Sequence, residues 1–131
     1  MPITFKEVEH VYGQNTPFAY HALRGVNLNI KDKSFTAIIG QTGSGKSTLI
    51  QHINALLLPT SGSINIDEYL ITVTDKPNKL KPLRQKAGLV FQFPEYQLFE
   101  ETIEKDIIFG PMNFGVNEDE AKLIACKVLK T

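Results

Sequence analysis

The chain contains, at residues 40–47, the stretch Gly40-Gln41-Thr42-Gly43-Ser44-Gly45-Lys46-Ser47. This stretch matches the pattern G-x-x-x-x-G-K-[ST] of the phosphate-binding loop, which is also called Walker A. Its glycines let the backbone curl so that successive N–H groups point inward at phosphate oxygens. We therefore expect all eight residues to bind the phosphates of a nucleotide.

Three side chains at the end of this loop have distinct predicted roles. Lys46 places a mobile positive charge on the β- and γ-phosphates, and Ser47 offers a hydroxyl to Mg²⁺. Thr48 is placed to hydrogen-bond the α-phosphate. The helix that follows directs its positive N-terminal end at the same anion. A nucleotide and Mg²⁺ are therefore the expected ligands.

The segments on either side of the loop predict the fold class. An apolar strand is expected at residues 35–39, and a helix follows with one apolar face formed by Leu49, Ile50, Ile53, Leu56 and Leu57. A second apolar strand is expected at residues 88–91. Uniformly apolar strands are typical of a parallel sheet covered on both faces. The sequence therefore predicts an α/β fold.

The residues before the loop predict a separate β layer. A half-buried strand is expected at residues 3–12, where polar residues separate Ile3, Phe5 and Val8, and a strand of period two at residues 23–30. A further short strand is expected after the loop, at residues 63–66. We expect an antiparallel β-subdomain over about residues 1–33 and a phosphate-loop core over residues 34–131.

The second half of the chain predicts a surface loop and two helices. The loop is expected at residues 72–82, which are rich in lysine. Thr102 is expected to cap a helix that runs to about Phe109 and stops at Gly110-Pro111. Asn117 is placed to cap a last helix.

Composition excludes several classes of protein. The 131 residues suit one domain. Fourteen basic and fourteen acidic residues cancel, so no nucleic-acid partner is expected. Cys126 is the only cysteine, which excludes an intrachain disulfide and favours a reducing compartment. The apolar runs are far shorter than the roughly 18–20 residues that a membrane span needs.

A phosphate loop alone does not choose among kinases, GTPases and transport ATPases. Here 39 residues precede the loop, whereas nucleotide kinases and small GTPases tend to place it near the N-terminus. Gln92 ends the predicted strand at residues 88–91, and ligands of open α/β sheets bind at the carboxyl ends of strands. Gln92 could therefore reach the γ-phosphate, Mg²⁺ or the attacking water, with a polar surface residue as the alternative interpretation.

Together these residues resemble the ATP-binding subunit of ABC transporters. Residues 8–48 are similar to that family's β-subdomain leading into Walker A, and Leu89-Val90-Phe91-Gln92 is similar to its Q-loop strand. Residues 91–102 (FQFPEYQLFEET) and 109–115 (FGPMNFG) resemble the ATPases of energy-coupling-factor (ECF) transporters, which import cobalt and vitamins. The resemblance implies a P-loop NTPase with a RecA-like core, and one ABC-type nucleotide-binding domain over residues 1–131.

The resemblance also implies roles for individual residues. Tyr12 takes the position of the aromatic residue that stacks on adenine, with Phe18 and Tyr20 as nearby rivals. Lys46 and Gln92 would be the catalytic residues, and Ser47 and Gln92 would bind Mg²⁺.

The partners that the resemblance implies are proteins. Two ATPase subunits, identical or homologous, would enclose MgATP, and closure on ATP would drive the membrane partner. Residues 93–99 would face a transmembrane coupling subunit. The protein would then lie at the cytoplasmic face of the cell membrane and reach the membrane only through that partner.

The sequence departs from the family pattern in what it lacks. The Ser-Gly-Gly-Gln-like signature motif, the Walker B run ending in Asp-Glu and the switch histidine are absent from it. We therefore expect an N-terminal part of a longer protein that binds ATP without hydrolysing it appreciably. The three histidines (His10, His21, His52) receive no predicted role, and the acidic residues near Thr102 (Glu100, Glu101, Glu104, Asp106) are expected to form a solvated face at a helix start.

Three other functions stay open at this point. They are an ABC-type ATPase of a soluble process, a P-loop kinase and a non-catalytic nucleotide-binding module.

Overall fold

A computed structural model describes residues 1–75, 77 and 80–131 of the chain. These residues divide into two compact units, Met1–Leu89 and Val90–Thr131. Each unit has its own apolar core, and each is described by itself.

The first unit is built on an antiparallel sheet. Its described strands are β1 (Ile3–Tyr12), β2 (Tyr20–Ile30), β3 (Ser61–Ile66) and β4 (Tyr69–Thr72). They lie in the order β2-β1-β3-β4, so β1 pairs with β2 on one side and with β3 on the other. The predicted antiparallel β-subdomain is confirmed, and the sheet also takes in β3 and β4.

One face of the sheet forms the core together with two helices. Ile3 and Phe5 alternate on the buried face of β1, and a bulge at Glu7 (φ 46°) adds one residue before Val8 and His10 continue that face. Helices α1 (Lys46–Ile53) and α2 (Lys81–Lys86) contribute buried side chains, including Leu49, His52 and Leu83. The phosphate loop is thus carried directly on a packed helix.

Two predicted strands are not formed. Residues 35–39 and 88–91 have no strand pairing among the described residues, and Phe35 is 99% exposed and Ile39 94% exposed. A strand is stable only when its backbone N–H and C=O groups bond to neighbouring strands. These two apolar segments have no such neighbours in the part of the chain that the structure describes.

Two further boundaries differ from the prediction. Helix α1 ends at Ile53 rather than continuing to Leu57, because Ala55 adopts a left-handed backbone (φ 54°) that breaks the helix. The predicted loop at residues 72–82 contains Thr72 of β4 and the start of α2 at Lys81, while residues 76, 78 and 79 of that loop lie outside the described residues.

The second unit is helical. A 3₁₀ turn (Pro94–Gln97) precedes α3 (Ile103–Asn113) and α4 (Glu118–Leu129). The two predicted caps are confirmed: the Thr102 hydroxyl accepts from Lys105 N at 3.3 Å, and Asn117 Oδ1 accepts from Glu120 N at 2.9 Å. The helices pack through a small core centred on Ala121 and Ala125.

Gly110-Pro111 does not stop α3, contrary to the prediction. Pro111 lies inside the helix, which continues to Asn113. A proline in the last turn removes one backbone donor, and the amides beyond it still bond backward: Phe114 N donates to Gly110 O and Pro111 O. No helix in the described residues combines the length and the apolar character that crossing a bilayer requires.

Candidate nucleotide-binding site

Two of the three glycines in the phosphate loop have backbone conformations that other residues rarely adopt. Gly43 has φ +81° and Gly45 has φ +88°. A Cβ on Gly45 would lie 2.5 Å from Ala22 O, so only glycine lets the loop pack this closely against β2. A Cβ on Gly43 would meet nothing within 4 Å, which leaves the backbone there open to a ligand. The loop therefore fits the close approach of a phosphate group.

The N-terminus of α1 faces the same loop. The first helical hydrogen bond runs from Leu49 N to Gly45 O at 2.8 Å. The amides of residues 46–48 consequently have no partner within the helix. The first turn carries no acidic side chain. The helix end thus offers donors and a positive dipole to an anion.

The Lys46 ammonium lies over the loop. Its Nζ donates to Gly40 O at 2.8 Å and to Gln41 O at 2.6 Å, and it lies 3.5 Å from Ser44 Oγ. These contacts hold a cation at the centre of the curled backbone. A phosphate oxygen is a stronger, charged acceptor for the same ammonium than a neutral carbonyl.

Two tyrosines of the sheet contact the phosphate-binding segment, Tyr20 at the loop and Tyr12 at the first turn of α1. Tyr12 and Tyr20 are directly opposite each other on β1 and β2. The Tyr12 hydroxyl lies 3.1 Å from Thr48 Oγ1, and the Tyr20 hydroxyl donates to Gly43 O at 3.0 Å. Phe18, the other aromatic candidate for the base, is 88% exposed and has no such contact with the loop among the described residues.

Two histidines without a predicted role support this site from the core. His52 Nδ1 donates to Thr48 O at 2.7 Å, and His10 Nδ1 lies 3.0 Å from Leu58 O. The His10 ring contacts both the Tyr12 ring and the His52 ring. Burial lowers the pKa of His52 below its ordinary 6.5; nearby His10 adds to this effect, and the bond to Thr48 opposes it. The sequence contained a signal for these contacts, because the spacing of each pair places both residues on one face of their element. His10 is two residues from Tyr12 on a strand, and His52 is four residues from Thr48 on a helix.

Gln92 and Ser47 are both exposed. Ser47 is in the first turn of α1, beside Lys46. Gln92 belongs to the second unit, where it lines a surface pocket with Phe91, Phe93, Tyr96 and Gln97. The roles predicted for Gln92 and Ser47 stay predictions.

The acidic residues near Thr102 lie at the start of helix α3, as the sequence predicts. Glu104 and Asp106 are in the first turn of α3, where the helix dipole favours negative charge. Asp106 Oδ1 accepts from Glu100 N at 3.3 Å, and Glu101 pairs with Lys105 at 3.1 Å. These contacts serve the local structure of the helix start.

A glycine-rich loop that leads into a packed helix, with its lysine over the loop carbonyls, defines a P-loop protein. The sequence profile of ABC transporters matches residues 23–129, and the chain belongs to this family.

Two relatives indicate which proteins of the ABC transporter family this chain is similar to. The chain is 58% identical over 130 residues to the energy-coupling factor transporter ATP-binding protein EcfA2 of Geobacillus kaustophilus, covering 99% of this chain and 45% of that protein. It is 58% identical over 129 residues to EcfA2 of Enterococcus faecalis, covering 98% of this chain and 45% of that protein. The chain thus spans just under half the length of these relatives.

Solved structures share the fold. The ATP-binding cassette MJ0796, solved as a dimer in a post-hydrolysis state with ADP and Pi, matches with a TM-score of 0.79 at 29% identity over 98% of this chain and 56% of that chain. The protein cbiO1 from Clostridium perfringens, described as part of the ABC transporter complex cbiONQ, matches with a TM-score of 0.73 at 39% identity over 98% of this chain and 49% of that chain. The predicted fold class is confirmed.

Proposed function

We propose that this chain supplies the ATP-binding part of a subunit that powers an ECF-type membrane importer. One observation carries the proposal: the Lys46 ammonium is held over a loop in which Gly43 and Gly45 are left-handed and whose following helix has an N-terminus open to an anion. The 58% identity to ECF ATP-binding proteins supports the class of transporter. ATP hydrolysis is proposed for a protein with the full length of those relatives.

The proposed ligands are ATP and Mg²⁺. The backbone of residues 40–47 and the Lys46 ammonium would bind the β- and γ-phosphates, and Thr48 the α-phosphate. Ser47 and Gln92 would hold Mg²⁺, which neutralises charge on the phosphates when bound. Tyr12 would stack on adenine, since its ring is 40% exposed beside the loop. Lys46 and Gln92 are the proposed catalytic residues, and Gln92 would also contact the attacking water.

The proposed partners are a second ATPase subunit and a transmembrane coupling subunit. The dimeric form of MJ0796 with ADP and Pi supports the first, and the description of cbiO1 as part of a transporter complex supports the second. Exposed aromatic side chains, Phe93, Tyr96 and Phe99, suit residues 93–99 to a protein interface. The subunit would act at the cytoplasmic face of the membrane, with cobalt or a vitamin as the imported solute.

Calorimetric titration of the chain with MgATP tests the proposed site. Lys46→Ala removes charge-assisted hydrogen bonds of about 1.5–3 kcal/mol, so ATP affinity should fall roughly 10- to 150-fold. Lys31→Ala is the matched control, because Lys31 is an exposed lysine at the end of the sheet, and it should leave the affinity unchanged. Equal ATP affinities of the wild-type and Lys46→Ala chains would contradict the proposed site.

A further inference from the structure

Four residues of the first unit form a closed ring of contacts between β1 and α1, in which Thr48 takes part with both its hydroxyl and its backbone carbonyl. The His10 ring packs edge-on against the Tyr12 ring, with centroids 4.5 Å apart, and against the His52 ring at 4.8 Å. His52 Nδ1 bonds to Thr48 O at 2.7 Å. The Thr48 hydroxyl returns to the Tyr12 hydroxyl at 3.1 Å, which closes the ring.

Regular secondary structure brings these four side chains together. His10 and Tyr12 are two residues apart on β1, so they share one face of the strand, and Thr48 and His52 are one turn apart on α1. His10, Thr48 and His52 are 7%, 8% and 0% exposed, whereas Tyr12 extends into solvent. The ring therefore has one open member and three buried ones.

Each of the two histidines donates a hydrogen bond from Nδ1 in this arrangement. Each Nδ1 faces a backbone carbonyl, which only accepts, so each Nδ1 carries the hydrogen. His52 Nε2 is buried without a hydrogen-bond partner among the described residues. A buried polar atom without a partner costs stability, so packing alone does not explain a histidine here.

We propose that His10 is a positioning residue for the nucleotide base, and that through His52 it ties the ring that stacks on the base to the helix that binds the phosphates. The proposal rests on the proposed functions of Tyr12 and Thr48. An exposed tyrosine at a strand end has several rotamers available. Contact with the His10 ring and the bond to Thr48 restrict Tyr12 to one of these rotamers, which fixes the position of its ring relative to α1.

The expected effect follows from the cost of ordering one side chain on binding. When the free protein no longer holds Tyr12 in place, that cost falls on the binding step and weakens affinity about two- to tenfold. The loss should concern only ligands that have a base. This restriction to ligands with a base distinguishes His10 from residues that only support the phosphate loop.

The test compares MgATP with Mg-tripolyphosphate, which has the phosphates and no base, on the wild-type chain and on His10→Gln. Glutamine keeps a donor for Leu58 O and removes the aromatic ring. We expect ATP affinity to fall about two- to tenfold and tripolyphosphate affinity to stay within twofold. His21→Gln is the matched control, because His21 is an exposed histidine on β2. In a Tyr12→Ala background, His10→Gln should cause no further loss.

Each alternative outcome has a distinct meaning. Equal losses for ATP and tripolyphosphate, or no loss for either, would overturn the role of His10 while leaving the phosphate site intact. Binding that survives Lys46→Ala would instead overturn the proposed function. A wild-type chain that binds ATP no better than tripolyphosphate would overturn both the stacking role of Tyr12 and this inference.

A measurement without ligand decides the inference independently of binding. In spectra of chains labelled with ¹³C on tyrosine rings and threonine methyls, His10→Gln should shift the Tyr12 ring toward the values of a freely rotating tyrosine. It should also move the Thr48 methyl, while the Tyr20 ring stays in place. An unchanged Tyr12 resonance would overturn the proposal.

Discussion

Replacing either of two left-handed glycines in the phosphate loop by alanine should destabilise the chain to very different extents. Gly43 and Gly45 have similar φ values, +81° and +88°. In each case the left-handed backbone costs an alanine about 1–2 kcal/mol, and the stiffer unfolded chain returns about 0.4–1 kcal/mol. Gly43→Ala should therefore lower the free energy of unfolding by about 1 kcal/mol.

Gly45→Ala carries a second cost that Gly43→Ala does not. Its Cβ would lie 2.5 Å from Ala22 O and 3.1 Å from Leu23 Cδ2, so α1 would have to move away from β2. Such overpacking typically costs 1–3 kcal/mol, which gives a total of about 2–4 kcal/mol. Gly43→Ala should have the more direct effect on phosphate binding of the two variants, because its methyl group would occupy the open space in front of the loop.

Thermal unfolding followed by circular dichroism measures this difference. For a chain of this size 1 kcal/mol corresponds to roughly 3–5 °C, so we expect a fall of about 4 °C for Gly43→Ala and about 10 °C for Gly45→Ala. Gly88→Ala is a matched control, since Gly88 does not have a left-handed backbone and a Cβ there meets nothing within 4 Å. Equal losses for Gly43→Ala and Gly45→Ala would refute the argument that contact with β2 selects glycine at position 45.

Two other predictions concern the core and the second unit. Burial lowers the pKa of His52 in the folded chain, so the unfolded state takes up a proton before the folded state does as the pH falls. The free energy of unfolding should therefore fall as the pH drops below 6.5. In urea titrations between about pH 7.5 and 5.5, His52→Leu should flatten that slope. A slope as steep in His52→Leu as in the wild type would show that other groups are responsible. Thr102→Ala removes the cap of α3 and should cost about 1 kcal/mol, seen as faster amide hydrogen exchange in α3, while exchange in β1 stays unchanged. Protection of α3 equal to that of the wild type would mean that the hydroxyl contributes nothing.

The local parts of the fold were predictable from the sequence, because their causes are local. Alternation of apolar residues gave β1 and most of β2, and the side chains of Thr102 and Asn117 gave the starts of α3 and α4. Strand β4 was missed, since four residues are too few for a pattern to emerge.

The prediction of two parallel strands was wrong because strand formation depends on residues outside the segment itself. Apolar runs at residues 35–39 and 88–91 indicate what those segments prefer to bury, but a strand forms only against a neighbour. In the described residues neither segment has one, and Phe35 is left in solvent. A pattern within one segment cannot reveal whether its partner is present.

The site was predictable to the extent that it is contiguous. The phosphate loop is a run of adjacent residues whose chemistry follows from their order. The contacts of His10 and His52 depend instead on how β1 packs against α1, and neither histidine is distinctive when read alone. The functional candidates that sequence reasoning missed are therefore those that act across two elements.

The bonds between the Lys46 ammonium and the carbonyls of Gly40 and Gln41 make the loop preorganised. The cation closes the curled backbone on itself, so the loop has its shape before any anion arrives, and little chain entropy is left to lose on binding. Phosphate binding is then an exchange of partners, in which neutral acceptors give way to charged ones. Affinity should depend on the quality of the incoming acceptor, which favours polyphosphates over monovalent anions such as chloride.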